Sequence, residues 1–420
     1  MLLNGAESVS EYLKNYTFRQ NLDTFMGIAP KTRIESILVN GAAFTKYINE
    51  FWTSKQRQAA SLQEISYRGC FKPQLPRFFI KLFTKMNDII HDPFSGRGTT
   101  VLEAGLLGRK IISNDVNPLS EILAAPRFFV PNLSEIKDRV SQIPINKSLK
   151  ADIDLSMFYH PATEAELVSL KMYLIKQRSD GEEDYLDKWI RMVATNRLTG
   201  HSKGFFSVYT LPPNQAVSPG RQIKINEKRN QTPDYRSTRD LILRKSKSLL
   251  RNLTDMQIQN LRKAGESALF LQADARSMGE IESESVQLTV TSPPFLDVVQ
   301  YSKDNWLRCW FNSIDVAEIS KQITMAKTIE KWSAVMQAVF QELYRITRIG
   351  GWVAFEVGEV RKGTIKLDEY VIPLGLRAGF RCEGVIINLQ EFTKTSNIWG
   401  INNMDSGTNT NRIVLFHRAE

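Results

Sequence analysis

The sequence predicts an α/β fold: a doubly wound, mostly parallel sheet closed by an antiparallel strand pair, with a mostly helical insertion. Three observations predict it. Residues 88–115 read as strand, glycine turn, helix and second strand, with Asp115 at the tip. A second apolar run, residues 286–290, is stopped by two consecutive prolines, which cannot continue a central strand because each lacks an amide donor. Near the end, residues 385–389 and 413–416 are β-branched and apolar and read as an antiparallel pair.

The chain has 420 residues, 42% apolar and 24% charged, which suits two or three globular units. No apolar run approaches the ~20 residues of a membrane span, and the first residues lack the basic-then-apolar pattern of a signal peptide. Cys70, Cys309 and Cys382 lie far apart, and only four histidines occur. This pattern points to a reducing compartment, the cytoplasm, and away from a metal site. The net charge of +10 favours polyanionic partners. Most of that excess sits in residues 197–251, with twelve Lys/Arg against three Asp/Glu.

Residues 1–66 read as an N-terminal helical extension. Within it, residues 35–47 alternate weakly, and residues 51–58 suggest an amphipathic helix packed on the main domain. Pro73 and Pro76 mark a turn before an apolar helix that includes residues 78–83. The first strand ends in Asp92-Pro93-Phe94, and Ser95-Gly96-Arg97-Gly98-Thr99-Thr100 forms the turn. Gly96 and Gly98 let backbone approach a ligand, and the helix after them offers free amides. Asp115 suits a two-point hold on vicinal hydroxyls.

Residues 121–262 interrupt the strand–helix rhythm and read as an inserted basic helical region. Thr163 and Glu166 fit a capping box. Trp189, Ile190 and Val193 belong to a helix stopped near Gly200, and residues 204–215 form an aromatic loop. Arg244, Lys247 and Arg251 fall at i, i+3 and i+7 and are expected to share one helix face; with Lys203 and Lys228 they are the candidate nucleic-acid contacts. The catalytic unit is read as residues 67–120 and 263–420. Its third strand, residues 268–274, ends in Asp274, which either meets a ligand or caps the strand end. The fourth strand carries Thr291-Ser292-Pro293-Pro294-Phe295. A helix follows with Trp332, Met336, Val339, Phe340 and Leu343 at core spacing, broken by Gly350-Gly351 before the strand at residues 352–357.

These motifs resemble a known family. The stretch from Asp92 to Thr100 is similar to the cofactor motif of S-adenosylmethionine-dependent DNA amino-methyltransferases, whose sheet is Rossmann-like. Residues 291–295 are similar to their catalytic motif in the form typical of the cytosine-N4 branch; the adenine-N6 branch more often carries Asp or Asn where Ser292 stands. Residues 70–80 resemble the segment that helps hold the methionine end. Two departures stand out: Arg97 occupies a position often filled by a small residue, and the long insertion falls between the second and third strands.

The resemblance implies S-adenosyl-L-methionine as cofactor. Asp92, Phe94, Gly96, Gly98 and Thr99 would border its methionine end, Asp115 its ribose and Asp274 its adenine. It implies double-stranded DNA as substrate, the amino group of cytosine as acceptor, and a cognate restriction endonuclease as partner of a site-specific enzyme. Ser292 and the Pro293 carbonyl, stiffened by Pro294, would accept from the amino protons and align the nitrogen. Phe295 would stack on the base for about 1–3 kcal/mol, offsetting part of the few kcal/mol of base extrusion. No cysteine lies in the motif, which argues against carbon-5 chemistry. An adenine-N6 enzyme, an RNA base methyltransferase and a non-catalytic nucleic-acid-binding protein remain alternatives.

Overall fold

The computed structural model describes residues 6–17, 31–53, 59–212, 215–294, 301–322, 326, 328–360, 365–389 and 410–420. Their strands, in chain order, are β1 (Arg33–Val39), β2 (Ala42–Asn49), β3 (Ile89–Asp92), β4 (Lys110–Asn114), β5 (Leu269–Leu271), β6 (Val286–Thr291), β7 (Thr347–Val357), β8 (Glu359–Val360), β9 (Ile365–Lys366), β10 (Arg381–Leu389) and β11 (Thr410–His417). The helices are α1 (Ala6–Lys14), α2 (Gln74–Phe83), α3 (Thr99–Leu106), α4 (Leu119–Ala124), α5 (Leu133–Gln142), α6 (Pro161–Ser179), α7 (Tyr185–Arg197), α8 (Pro219–Arg229), α9 (Thr238–Leu250), α10 (Asp255–Glu266), α11 (Tyr301–Phe311), α12 (Val316–Gln322), α13 (Ile329–Ile346) and α14 (Leu367–Ala378).

Nine strands form one sheet in the order β1-β2-β10-β11-β7-β6-β3-β4-β5. The run from β7 to β5 is parallel, whereas β11 is antiparallel to both β7 and β10. The expected doubly wound sheet and its closing pair are therefore present. Strand order reverses beside β3, where the chain moves outward through β4 and β5 and then returns to β6. In such sheets the crevice at the carboxyl ends of the strands flanking the reversal receives the ligand.

The alternation of side chains along each strand builds two cores. Ile111, Leu288, Val290, Ala354, Ile413 and Leu415 face one layer, while Ile112, Val353, Phe355, Val414 and Phe416 face the other. The second layer is made mainly by α13 and α14. The first contains α2 and α3, and it runs without a break into Phe158, Trp189, Ile190 and Leu241 of the insertion. The described helices of residues 121–262 thus pack into the core of the sheet.

Several expectations need correction. Among the described residues of the N-terminal extension, α1 and a single 3-10 turn at Ser61–Gln63 are helical, whereas residues 33–49 form a hairpin, and β2 extends the sheet by pairing in parallel with β10. Asn388 secures the exit from that hairpin, its side-chain oxygen accepting from the amides of Phe51 (2.7 Å) and Trp52 (3.1 Å). Phe51 and Trp52 are buried but not helical, and residues 54–58 lie outside the described residues. Thr163 does not cap α6, because the helix begins at Pro161 with the His160 ring accepting from the Ala162 amide. Glu166 instead accepts from the Thr238 amide at 2.8 Å and joins α6 to α9. Gly350 and Gly351 lie inside β7, where Gly350 adopts φ +74° beside a register shift against β6, so they bend a strand and do not end a helix. The third parallel strand is only three residues long, and Asp274 lies beyond it.

Candidate active site at the strand-order reversal

The turn after β3 is held by its own small side chains. The Ser95 hydroxyl donates to the Asp92 carbonyl at 3.0 Å, and the Gly98 amide donates to the Ser95 carbonyl at 2.7 Å. The Ser95 amide also donates across to the Asn114 carbonyl at 3.0 Å. Gly96 adopts φ +55°, which turns its amide toward Asp115; the amide donates to one carboxylate oxygen at 2.8 Å. The Asn117 amide donates to the other oxygen at 2.9 Å. A carboxylate has about four acceptor sites, so Asp115 keeps capacity on both oxygens for hydroxyl donors.

Gly98 serves a different purpose. It adopts φ +76°, and a Cβ there would lie 2.6 Å from the Ala124 Cβ. It allows α3 to approach α4 and is not part of the pocket wall. Arg97 points away from the crevice. Its guanidinium donates to the carbonyls of Gln63 (3.1 Å) and Ile65, which explains how a large residue fits between the two glycines.

The opposite wall is the end of β6. The Thr291 hydroxyl donates to the Asp92 carboxylate at 2.7 Å, and the Thr100 hydroxyl donates to the Val290 carbonyl at 3.0 Å. The glycine turn and the diproline stretch are thereby locked to each other. The Trp332 indole N–H, from α13, donates to the Pro294 carbonyl at 3.0 Å. The Ser292 hydroxyl donates to Glu356 on the neighbouring β7, and the Asn411 amide donates to the same carboxylate at 2.6 Å.

Between these walls lies a pocket of about 1060 Å³, mouth included. Of the expected cofactor residues, Asp92, Phe94, Gly96, Thr99, Asp115 and Asp274 line it, and Gly98 does not. Of the expected catalytic residues, Ser292 and Pro294 line it. Pro293 is buried between them and is not in the wall, and Phe295 lies outside the described residues. The segment Tyr67-Arg68-Gly69-Cys70-Phe71 closes one side. Arg68 is fixed there by Asp304 at 2.8 Å. Asp274 is half-exposed and already paired with the Arg276 guanidinium, which holds its carboxyl below the usual range.

Among the described residues, two carboxylates of the pocket wall, Asp92 and Asp115, have no ion-pair partner, and Glu356 lies behind the wall. Burial pushes Asp92 up to about 7, against the lowering effect of its hydrogen bonds from Thr291 and the Phe94 amide. Burial likewise pushes Asp115 up to about 6 and raises Glu356. Such shifts mean that the charged forms lack a cationic partner, and a cationic ligand would supply one.

The basic residues of the insertion stay outside this pocket. Lys203, Lys228, Arg244 and Lys247 are exposed. Arg251 does not share the helix face with Arg244 and Lys247, since α9 ends at Leu250 and the chain turns at Arg251 into extended backbone. There it is paired with Glu64. Three functional features were not read from the sequence: the Thr291–Asp92 bridge, the indole of Trp332 and the carboxylate of Glu356. A signal for the last was present, as Glu356 is the one acid in an otherwise apolar run, residues 352–357.

Among the described residues, no group of His, Cys, Asp and Glu could hold a metal ion, and no helix is long and apolar enough to cross a membrane.

Comparison with known proteins bears directly on this arrangement. Residues 11–122, which carry the glycine turn and Asp115, match the family model described as DNA methylase. The chain is 34% identical over 71 residues to the type II methyltransferase M.MjaII of Methanocaldococcus jannaschii, covering 17% of this chain and 13% of that protein. It is 38% identical over 63 residues to the tRNA (guanine(10)-N2)-dimethyltransferase of the same organism, covering 15% and 18%. Each aligned stretch thus spans less than a fifth of the relative's own length. Among solved structures, a DNA modification methylase of Thermus thermophilus, determined in complex with S-adenosyl-L-methionine, is 18% identical with a TM-score of 0.23, covering 35% of this chain and 54% of that one. The likeness to DNA methylases thus rests on residues 11–122, which hold the glycine turn and the acid that follows it, and on short alignments to methyltransferases.

Proposed function

We propose that the protein transfers a methyl group from S-adenosyl-L-methionine to the exocyclic N4 amino group of cytosine in double-stranded DNA, as the site-specific modification enzyme of a restriction–modification pair. The observation that carries this reading is the single pocket with the Gly96–Asp115 contact on one wall and Ser292 and Pro294 on the other.

The cofactor fits the residues present. Asp115 keeps free acceptor sites for ribose hydroxyls, and Gly96 brings backbone to the pocket wall. Asp92, lacking a cation, matches the ammonium of the methionine portion. Phe94 and Thr99 border that end, and Asp274 lies where adenine would reach. When bound, the cofactor supplies an electrophilic methyl on a sulfonium, so no covalent enzyme intermediate is needed.

An exocyclic amine is a weak nucleophile because its lone pair is delocalised into the ring. Ser292 addresses this. Its hydroxyl proton is committed to Glu356, so the oxygen's lone pairs remain to accept from the amino group and turn the nitrogen toward the methyl. Trp332 fixes Pro294 and with it the direction of the loop. The surplus amino proton would leave through Ser292 toward Glu356, whose raised affinity for protons suits an acceptor. The exposed Lys203, Lys228, Arg244 and Lys247 supply phosphate contacts on the insertion.

Serine in place of Asp or Asn supports cytosine over adenine. Mass spectrometry of nucleosides from DNA treated with the protein and cofactor tests this: N4-methylcytosine is expected, and N6-methyladenine would reassign the base. The similarity to a tRNA guanine methyltransferase favours one second reading, an exocyclic amine in RNA. Methyl label entering tRNA and not DNA would establish it.

A further inference from the structure

A second cleft lies on the far side of the segment that closes the active site. Tyr67 and Cys70 line both clefts, so the two are separated by a single layer of residues. Four cations face the second cleft from four parts of the chain: Lys72 before α2, Arg97 in the glycine turn, Arg197 at the end of α7 and Lys245 within α9. One carboxylate, Glu64, faces it, and Arg251 already holds that group.

Three of these cations are buried: Arg97 is 6% exposed, Arg197 9% and Lys245 9%. Their partners inside the protein are mostly neutral. Lys245 donates to the Glu64 carbonyl at 2.6 Å, and Arg197 donates to the Asn196 side-chain oxygen at 2.6 Å and stacks on Phe205 at 4.0 Å. Lys has three donors and Arg five, so these contacts leave donor capacity facing the cleft. Burial and mutual repulsion show in their protonation. Lys72 is held below its usual value by burial and by Arg97, and Arg197 falls to about 10 through burial and Arg308. Lys245 falls to about 7 through burial and Arg197. A buried group of like charges is costly unless a counter-charge arrives. The ligand that answers it is an oxyanion with several acceptors, and Arg is the residue suited to phosphate.

We propose that this cleft is a phosphate site, in which Lys72, Arg97, Arg197 and Lys245 hold a backbone phosphodiester of the strand whose base enters the neighbouring pocket. The site rests on the reading that nucleic acid is the substrate. Arg244 and Lys247, both exposed, flank the buried Lys245 on α9. The segment Tyr67–Cys70 would then sense both ligands, with cofactor on one side and backbone on the other.

The test uses the full chain. Binding of a fluorescent DNA duplex is measured by anisotropy across a salt series for wild type, Lys245→Met, Arg197→Met and Lys245→Arg, with cofactor affinity by calorimetry and folding by thermal melts. Lys245→Met is expected to weaken DNA about tenfold near physiological salt and to lower the salt slope by about one, as loss of one phosphate contact does. Lys245→Arg should restore both, and cofactor affinity should stay at the wild-type value. An unchanged slope in both methionine variants overturns the proposal. So does a loss of cofactor affinity in place of DNA affinity. Competition by inorganic phosphate that disappears in the variants while DNA binding is untouched assigns the cleft to a free anion and also overturns it. Wild type that binds neither duplex nor tRNA is a different result, because it removes the functional reading itself.

Discussion

The two clefts that meet at Tyr67 and Cys70 are built alike and charged oppositely. Each buries like charges without neutralising them. On one side are Asp92 and Asp115, with carboxyls pushed up to about 7 and about 6. On the other are Arg197 and Lys245, pushed down to about 10 and about 7. Other buried charges are handled differently: Asp187 meets Arg139 at 2.7 Å, Arg412 meets Asp368 at 3.2 Å, and the guanidinium of Arg127 is satisfied by the carbonyls of Leu62, Arg97 and Leu123. What sets the two clefts apart is that each gathers several charges of one sign beside an open space. A fold that can complete an ion pair internally, yet leaves two adjacent groups incomplete, carries that cost where binding repays it.

The strongest way to break the comparison is at Asp115. Asp115→Ala removes the acceptor of the Gly96 and Asn117 amides as well as the proposed ribose contact. Two charge-assisted hydrogen bonds at about 1.5–3 kcal/mol each give an expected loss of cofactor affinity of at least about 100-fold. Calorimetry measures this, with Asp115→Asn as an intermediate case. DNA affinity should change little, because the basic cleft is intact. Wild-type cofactor affinity in the alanine variant would show that the acidic cleft serves another purpose.

Next in size is the target wall. Ser292→Ala is expected to slow single-turnover methyl transfer about 100-fold while both ligands bind normally, the range for one positioned proton-transfer group. Glu356→Gln keeps the volume and an acceptor oxygen but loses the negative charge; about a tenfold loss is expected, below that range because Glu356 acts through Ser292. If Glu356→Gln matched wild type, Ser292 would act alone.

These residues also show what was and was not legible in the sequence. The glycine turn, Asp115 and the diproline stop could be read because glycine, proline and a strand-end acid each leave a local signature. The hairpin β1–β2 could not. Its outer strand is mostly exposed along Arg33–Val39, so the alternation that marks a half-buried strand is faint. The shared core of the insertion was hidden by α7, where Asp187, Arg191, Asn196 and Arg197 are buried beside Trp189 and Ile190. Polar letters suggested a surface, and only their tertiary partners make them interior. Arg251 looked helical because spacing alone does not reveal that α9 stops one residue earlier. Trp332 was legible as core but not as a contact to Pro294, since the direction of an indole N–H depends on packing.

The smallest effects sharpen the comparison most, because the two clefts should respond to pH in opposite senses. If a cationic cofactor binds the charged form of Asp92, as proposed, its affinity should rise with pH up to about 7 and then level. The dependence is at most about tenfold per unit and should be lost in Asp92→Asn. Lys245 faces Arg197, Arg251 and Glu64 and is charged only below about 7, so DNA affinity should fall as pH rises through that value, and Lys245→Arg should flatten the fall. Folding follows the same signs. Between its ordinary 3.8 and about 7, Asp92 binds more proton when folded than when unfolded, so its contribution to stability falls as pH rises. Between about 7 and its ordinary 10.5, Lys245 binds more proton when unfolded, so its contribution rises with pH. Without ligands, the melting temperature of wild type relative to Asp92→Asn should therefore decline from about pH 5 to 7, and relative to Lys245→Met it should climb from about pH 7 to 9. Saturating cofactor should cancel the first trend and duplex DNA the second. If both ligands shifted the same limb, the clefts would be one site and the opposition between them would disappear.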